Sequence, residues 1–508
     1  MLPELVRSFE KASQRSRRMH RSLRFLFVFL ALVSVAAVAA ARAHSTAQAP
    51  RVTIDAGALS GAVDSASGVL VFRGIPYAAP PVGAGRWRPP RPAARWSGVR
   101  AADRLGRNCM QGQPYGDIDP YAAGMSEDCL YLNVWTTSLG GRRPVLVWIH
   151  GGGFWAGFGG EERHNGARLA TKGAVVVTLN YRLGPFGFLA HPAFAAESRD
   201  RTVGNYGLLD QIAALEWVRR NIRRFGGDPS RVTIFGESAG GFSVGSLVAS
   251  PRARGLFRSA IMQSGVGVGR ATRGRDSALV DGLRFAEALG VTGEGGEAAT
   301  RLRAIPADSL LAAFIALTRQ GARFAGGIAH RPVIDGRTLP LPVDSALATG
   351  SANLVPVIVG SNADESQEAF GAPARAFARL TTARGKPAYV YRFTRVAEDT
   401  ANRRVGAVHA SEITFAFGRP SPILVELGRA PYDSTLADAM SDYWVAFASG
   451  SNPNGPPAKG KWPAWPVYDP KTDAYLELGP QISARRDLHR ALYDSLDRVA
   501  RERGGVRP

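Results

Sequence analysis

Residues 232–240 read VTIFGESAG, a run of β-prone apolar residues that leads directly into GESAG at 236–240. The pentapeptide fits the pattern G-x-S-x-G, and the small residues that follow it to Ala249 predict a helix. A sharp strand-to-helix turn holds its serine in a strained conformation, and flanking glycines remove Cβ atoms that would collide there. The segment therefore predicts that Ser238 is exposed at the carboxyl edge of a sheet.

Strands and helices alternate on both sides of this turn. The apolar run VLVWI is continuous rather than alternating, which is typical of a strand covered on both faces. This alternation of strands and helices predicts an α/β fold with a mostly parallel central sheet and helices on both faces. The predicted strands include Pro144–Ile149, Ala174–Leu179, Val232–Phe235, Ala260–Gln263, Pro356–Val359 and Ala388–Phe393, and the predicted helices are Asn205–Phe225, Gly236–Ala249, Ser277–Leu289, Ala298–Ala316 and Thr435–Ala448.

Composition places the chain among globular proteins. Of its 508 residues, 45% are hydrophobic and 21% are charged, which excludes disordered and coiled-coil classes. The formal charge of +21 comes mainly from arginine, since only six of the 63 basic residues are lysine. The arginines form no basic run, so we expect no nucleic-acid partner. We see no repeat or linker, and residues 44–508 are interpreted as a single domain. No cofactor or metal site is expected.

The N-terminus predicts export. Residues 25–41, FLFVFLALVSVAAVAAA, follow Arg21 and Arg24 and precede the small-x-small pattern ending at Ala43. We therefore interpret residues 1–43 as a signal peptide, with Met19 as a possible true start and no stable membrane anchor after cleavage. A retained anchor is the weaker alternative, because the second half of the apolar run is mostly alanine. The mature protein is expected to be periplasmic or secreted.

The two cysteines, Cys109 and Cys129, both follow the predicted signal peptide. In an exported protein such a pair favours a disulfide over free thiols or part of a metal site.

The loop after the strand VLVWI reads HGGGF, residues 150–154. Unhindered backbone N–H groups in such a loop can point at a developing negative charge. We predict an oxyanion hole formed by Gly152, Gly153 and the residue after the serine, Ala239.

A base and an acid should follow Ser238 along the chain, in the order acid and then histidine. His330, His409 and His489 are the histidines beyond the serine. His409 is the predicted base, because it lies in a loop beyond a strand. The acid should end a strand before it, and spacing alone leaves Asp364 and Glu365 both open.

Several ordered segments identify a family. The matching segments are FRGIPYAAPP, SEDCLYLNVW, VWIHGGGF, NYRLGPFGFL, GNYGLLDQ, FGGDPSRVTIFGESAGG, MQSG, RPVIDG, GSNADES and HASEITFAFG. Across roughly residues 52–468 the sequence resembles the type B carboxylesterase and cholinesterase family, which has the α/β-hydrolase fold.

The resemblance implies roles for named residues. It implies Ser238 as nucleophile, Glu365 as acid and His409 as base, together with Gly152, Gly153 and Ala239 as oxyanion donors. It places Glu237 against the site, Ser264 in support of it, and Cys109–Cys129 as an early disulfide. It also implies buried ion pairs Arg73–Glu127 and Arg182–Asp210.

Two features depart from the family pattern. Residues 116–124 read GDIDPYAAG, without the tryptophan that offers cholinesterases a cation-π seat. Glu365 and His409 are also only 44 residues apart, several dozen fewer than is usual. We therefore expect a reduced lid and a wider active-site gorge.

The expected function is that of a serine hydrolase cleaving uncharged small-molecule carboxylic esters through an acyl-enzyme. The alternatives are a binding or adhesion scaffold, and a family member made weak or inactive by the shortened segment. An ordinary histidine base predicts that kcat/KM falls as the pH drops through roughly 6–7. The physiological ester and the oligomeric state are not predicted.

Overall fold

The computed structural model of the protein describes residues 49–112, 124–199, 202–268, 273–321, 331–398, 404–419 and 428–502. The predicted signal peptide and its cleavage site lie outside these residues, as do His330 and most of the segment 116–124. The chain from Pro50 onward forms one compact unit. Within the described ranges, no helix combines the length and apolar character needed to span a membrane.

Twenty strands are present in the described residues. They are β1 Arg51–Ile54, β2 Gly57–Ser60, β3 Ala62–Val63, β4 Leu70–Pro76, β5 Val99–Ala101, β6 Asn108–Cys109, β7 Met125–Ser126, β8 Tyr131–Thr136, β9 Arg143–Ile149, β10 Val175–Leu179, β11 Gly227–Glu237, β12 Ser259–Gln263, β13 Arg273–Gly274, β14 Val333–Ile334, β15 Val357–Asn362, β16 Ala388–Phe393, β17 Ala397–Glu398, β18 Arg404–Val405, β19 Tyr475–Leu478 and β20 Ser483–Arg485.

Eleven of these strands form the central sheet, in the order β20-β19-β16-β15-β12-β11-β9-β10-β8-β4-β3. The seven neighbouring strands from β19 to β10 are parallel to one another. Antiparallel strands extend the sheet at both edges. The sheet is therefore mostly parallel, which confirms the predicted fold class.

Thirteen α-helices connect and cover the described strands. They are α1 Ala167–Thr171, α2 Gly184–Phe188, α3 Pro192–Glu197, α4 Tyr206–Asn221, α5 Ala239–Ala249, α6 Arg275–Ala288, α7 Gly296–Ala304, α8 Ala307–Gly321, α9 Val343–Thr349, α10 Ala372–Ala383, α11 Ile413–Ala416, α12 Asp433–Gly450 and α13 Arg490–Glu502. A single π-helical turn, Gln367–Gly371, directly precedes α10.

The side chains of β9 show why helices cover both faces of the sheet. Val145, Val147 and Ile149 pack into one hydrophobic core together with α4 and α5. Leu146 and Trp148 point to the opposite face and pack with α12. Because successive strand residues face opposite sides, a continuous apolar run needs a core on each side. Helices α3, α6, α7 and α8 form a third apolar cluster outside these two layers.

Two predicted elements differ from the structure. The helix predicted over 298–316 is two helices, α7 and α8, separated at Ile305 and Pro306. Proline disfavours the helical conformation of the residue before it, so one continuous helix is broken here. The strand predicted over 232–235 begins at Gly227 instead, and a register irregularity between Gly227 and Val232 accommodates Pro229.

Covalent and ionic links fix the N-terminal part of the unit. Cys109 and Cys129 form the predicted disulfide, with their Cα atoms 4.9 Å apart. The implied pair Arg182–Asp210 is present at 2.7 Å and is buried.

The implied pair Arg73–Glu127 is wrong. The Glu127 carboxylate instead accepts from both Nε and Nη2 of Arg86, at 2.6 Å and 2.5 Å. Two parallel hydrogen bonds bind the carboxylate bidentately, so Arg86 takes the place that the resemblance gave to Arg73.

Candidate active site

Four neighbouring parallel strands of the sheet end at one edge and position the predicted site. The HGGGF loop follows β9, Ser238 follows β11, Ser264 follows β12, and Glu365 lies just beyond β15. Strands β9, β11, β12 and β15 are adjacent in the sheet. Because parallel strands share one carboxyl edge, residues far apart in sequence converge there.

Ser238 occupies the strained turn between β11 and α5. Its φ of 54° and ψ of −122° are unusual for a residue with a side chain. A Cβ atom at either flanking glycine, Gly236 or Gly240, would collide with the carbonyl oxygen of Ile149. The glycines therefore allow β11 and α5 to approach β9 closely, and the turn places Ser238 at the sheet edge.

The loop after β9 packs directly against this turn. A Cβ atom added at Gly151 would lie 3.3 Å from the Ser238 Cβ. Gly152 and Gly153 have φ values of 99° and 65°, a region that favours glycine. In the described part of the chain, their backbone N–H groups have no acceptor. The N–H of Ala239 lies at the start of α5, where helical N–H groups lack intrahelical partners.

His150 and Tyr181 brace the same loop, and sequence reasoning missed both roles. The two rings stack with centroids 4.4 Å apart, and the Tyr181 hydroxyl donates to the His150 carbonyl at 2.9 Å. The His150 Nδ1 lies 2.8 Å from the Gly151 carbonyl oxygen. Burial lowers the pKa of His150 to about 4, so its ring is neutral.

Glu365 and His409 lie in direct contact. The Glu365 Oε2 is 2.6 Å from the His409 Nδ1. The other carboxylate oxygen, Oε1, accepts from the Asn362 N–H at 2.7 Å and from the Ser264 hydroxyl at 2.8 Å. Three partners and almost complete burial hold this carboxylate in one orientation against the imidazole.

The side chain of Asp364 binds the backbone of Ala407 and not the imidazole of His409. Its Oδ2 accepts from the backbone N–H of Ala407 at 2.7 Å, and its own N–H donates to the Ala407 carbonyl. These bonds attach Asp364 to the segment that leads to His409. The geometry therefore separates two carboxylates that spacing alone left equivalent, and it brings only Glu365 to the imidazole.

Ser264 has a positive φ of 47°, and its N–H donates to the Gly360 carbonyl. This conformation turns the hydroxyl toward Glu365, in agreement with the supporting position implied by the family resemblance.

The far side of the imidazole faces Glu237. The His409 Nε2 lies 3.2 Å from the Glu237 Oε1, and the His409 side chain is 38% exposed. Among the described residues no hydrogen bond joins the Ser238 hydroxyl to His409. Contacts of this kind are often loose without substrate and tighten in the reacting complex.

A third carboxylate, Glu412, lies beneath the same group and was missed by sequence reasoning. It is fully buried and accepts from the Asn362 Nδ2 at 2.6 Å and the Gln263 Nε2 at 3.2 Å. The fragment HASE places it three residues after His409, which is the only sequence signal for it.

The buried carboxylates alter the titration of the site. Burial raises the pKa of Glu237 to about 8, although His409 opposes this shift. Burial alone would lower the pKa of His409, but the charges of Glu237 and Glu365 outweigh it and raise that pKa to about 9. The ordinary histidine pKa expected from the sequence therefore does not apply to this site.

Phe370 lies on the π-helical turn Gln367–Gly371 and packs on the base. Its ring stacks on His409, with centroids 4.6 Å apart and planes 19° apart, and it also approaches Phe242. This aromatic wall was not predicted, because a π-helical turn has no recognisable sequence pattern. Across the described ranges, no group of three or more His, Cys, Asp or Glu side chains is arranged to hold a metal ion.

Known proteins resemble this chain over most of its length. The model of the carboxylesterase family matches residues 48–370 and 366–495. The fumonisin B1 esterase of Sphingopyxis macrogoltabida is 37% identical over 490 residues, covering 84% of this chain and 87% of the relative. The para-nitrobenzyl esterase of Bacillus subtilis is 34% identical, covering 86% of this chain and 96% of that protein.

A solved carboxylesterase from Geobacillus stearothermophilus superimposes with a TM-score of 0.76 at 32% identity. The match covers 88% of this chain and 99% of the other. These similarities favour an enzyme over a binding scaffold. The chain belongs to the carboxylesterase family and is a carboxylic-ester hydrolase with the α/β-hydrolase fold.

Proposed function

We propose that the protein hydrolyses uncharged small-molecule carboxylic esters through an acyl-enzyme on Ser238. The observation that supports this mechanism best is the 2.6 Å contact between the His409 Nδ1 and the Glu365 Oε2, with the His409 Nε2 3.2 Å from Glu237, the residue before Ser238. A histidine held by a buried carboxylate and placed near a serine is the arrangement that activates a hydroxyl nucleophile.

In this mechanism His409 removes the hydroxyl proton as the Ser238 oxygen attacks the ester carbonyl. The N–H groups of Gly152, Gly153 and Ala239 stabilise the negative charge on the tetrahedral oxygen. Protonated His409 then gives its proton to the departing alcohol, and the acyl group remains on the serine. Water repeats the sequence and releases the acid. Glu365 keeps the imidazole in the required tautomer and stabilises its protonated form.

The preference for uncharged esters is supported by the charges around the base. Glu365 is buried beside His409, and its negative charge would oppose an anionic acyl group. Phe370 and Phe242 offer apolar surface beside them. Aromatic or bulky alkyl esters fit this chemistry, and one relative is named for para-nitrobenzyl esters.

The short interval between the proposed acid and base favours shallow selectivity. Besides β16 and the short hairpin of β17 and β18, its described residues form one π-helical turn and one helix, α10. A wider site orients substrates less strongly. We therefore expect broad tolerance of alcohol size and no preference for choline esters.

A panel of esters that varies acyl length, alcohol size and charge tests the proposal, with wild type and Ser238→Ala assayed side by side. An organophosphate probe should add its mass to the Ser238 peptide alone. Full activity in Ser238→Ala, or labelling of another serine, would refute the assignment. Steep chain-length selectivity would contradict the wide site.

We also propose export with cleavage after Ala43. The disulfide Cys109–Cys129 supports an oxidising compartment. The intact mass of the exported protein should correspond to a chain that begins at His44, whereas a retained 25–41 peptide would contradict cleavage.

A further inference from the structure

We propose that Tyr493 and Gln367 are positioning residues through which the C-terminal helix α13 holds the Glu365 loop against His409. The proposal rests on the proposed function, in which Glu365 is the acid.

Gln367 fastens the loop that contains Glu365. Its Nε2 donates to the carbonyl oxygens of Asn362 at 3.0 Å, Ala363 at 3.3 Å and Glu365 at 3.0 Å. One amide group thus ties together three successive parts of the turn after β15. Because the Asn362 N–H and the Glu365 carboxylate belong to this same turn, a fixed turn also fixes the carboxylate.

Tyr493 in turn fixes the amide of Gln367. Its hydroxyl donates to the Gln367 Oε1 at 2.6 Å, and the Tyr493 side chain is fully buried. Burial raises the pKa of Tyr493 to about 12, so the hydroxyl keeps its proton and remains a donor. A Cβ atom at Gly371 would collide with both the Tyr493 hydroxyl and the Gln367 Oε1. Glycine at position 371 of the π-helical turn therefore leaves room for the hydrogen bond between Tyr493 and Gln367.

The helix that contains Tyr493 is anchored beside the same turn. Arg375, on α10, is 2% exposed and pairs with Asp494 at 2.7 Å and Asp497 at 3.5 Å. Asp497 is itself buried. A buried arginine with two partners on α13 keeps that helix in register with α10.

The same π-helical turn contacts the proposed base, since Phe370 stacks on the His409 ring. A shift of the turn would therefore displace the acid and the base together. Misplacement of reacting groups by about 1 Å can lower rates by roughly 100-fold, even when its origin is far from the chemistry. This coupling distinguishes Tyr493 from a residue that only adds stability.

Tyr493→Phe tests the proposal, because it removes one hydroxyl and leaves the ring. The matched control is Tyr443→Phe on α12, whose hydroxyl donates to the Pro463 carbonyl at 2.6 Å. Tyr443 is also buried, its ring packs against Trp465, and none of its hydrogen bonds within the described residues involves the Glu365 loop or His409. We expect Tyr493→Phe to lower kcat by about 10- to 100-fold with KM nearly unchanged.

The pH profile gives a readout that stability alone would not move. A loosened Glu365 stabilises protonated His409 less, so the acidic limb of kcat/KM should shift to lower pH in Tyr493→Phe. Tyr443→Phe should keep both the wild-type kcat and the wild-type limb, whatever stability it loses. Equal kinetic behaviour of the two variants would overturn the proposal.

Gln367→Leu provides a second variant at a partly exposed position, in case Tyr493→Phe does not fold. It should reproduce the loss in kcat and the pH shift, and the double variant should lose no more than Gln367→Leu alone. Wild-type kinetics in Gln367→Leu would refute the proposal. Glu365→Gln distinguishes a failure of the proposed function from a failure of the positioning role. If Glu365→Gln stays active, Glu365 is not the acid. If it is inactive while Tyr493→Phe behaves like Tyr443→Phe, only the positioning role fails.

Discussion

Two adjacent carboxylates at the end of β15 behave differently because their side chains meet different partners. Glu365 contacts the imidazole of His409, whereas Asp364 bonds the backbone of Ala407. We expect Glu365→Gln to lower kcat by about three to four orders of magnitude, since the imidazole loses the carboxylate that sets its tautomer. Asp364→Asn should lose far less. Steady-state kinetics of both variants check this, and the reverse ranking would refute it.

A second prediction at this scale concerns the pH dependence of the site. A protonated His409 cannot act as base, and its pKa is raised to about 9, so kcat/KM should still be rising with pH above neutrality. Glu237→Gln removes a charge 3.2 Å from the His409 Nε2 and should lower this pKa. Profiles of kcat/KM across neutral and alkaline pH should show the acidic limb moving to lower pH. An unmoved limb would contradict the prediction, because it would show that Glu237 carries no charge in the pH range where His409 titrates.

At the scale of elements, the loop after β9 depends on a glycine conformation. Gly152 has a φ of 99°, and a Cβ atom there would collide with the carbonyl oxygen of Ala156. Gly152→Ala should therefore move the loop and withdraw proposed oxyanion donors. We expect kcat to fall by about 100-fold or more, which is the usual cost of losing such a donor.

The matched control is Gly255→Ala, because Gly255 also has a positive φ, of 76°, but no atom near its missing Cβ. It should lose some stability and keep its kcat. An active Gly152→Ala variant would show that this N–H is not needed.

At the scale of the whole molecule, buried neutral histidines make the free energy of unfolding depend on pH. His150, His164 and His191 are buried, and burial lowers the pKa of each below its ordinary value, to about 4 for His150 and His191. The unfolded chain binds protons at these histidines once the pH falls below roughly 6.5, before the folded protein does. Their contribution to stability is therefore present above that pH and is lost as the pH falls toward 4.

His191→Asn isolates one such contribution. The His191 Nδ1 accepts from the Ala193 N–H at the start of α3, and an asparagine oxygen can take over this cap. The wild type should lose more stability than the variant as the pH falls from 6.5 to 4.5. The difference between their free energies of unfolding should decrease by roughly 1.4 kcal/mol for each unit by which folding lowers the pKa of His191 over this range. Urea titrations at several pH values measure it, and a pH-independent difference would contradict it.

Local sequence patterns predicted the fold class, which the structure confirms, and most residues of the candidate site. Strands such as β9 are recognisable because a continuous apolar run must be buried on both faces. The serine turn and the HGGGF loop are recognisable because their geometry requires glycine at fixed positions, and the chain order of acid and histidine led to His409. Export was also predicted from local sequence, but the residues concerned lie outside the described part of the structure.

Only the tertiary structure separated Glu365 from Asp364 by geometry. It also showed that Arg86, and not Arg73, pairs with Glu127. Three further residues were found near the site only in the structure, namely Glu412, Phe370 and Tyr493. These contacts join residues that are 39 to 149 positions apart, as Phe370–His409 and Gln263–Glu412 illustrate. Hydrophobic periodicity and turn chemistry act over a few residues and determine which elements form. Which side chains meet, and what pKa values their shared burial imposes, depends on how those elements pack.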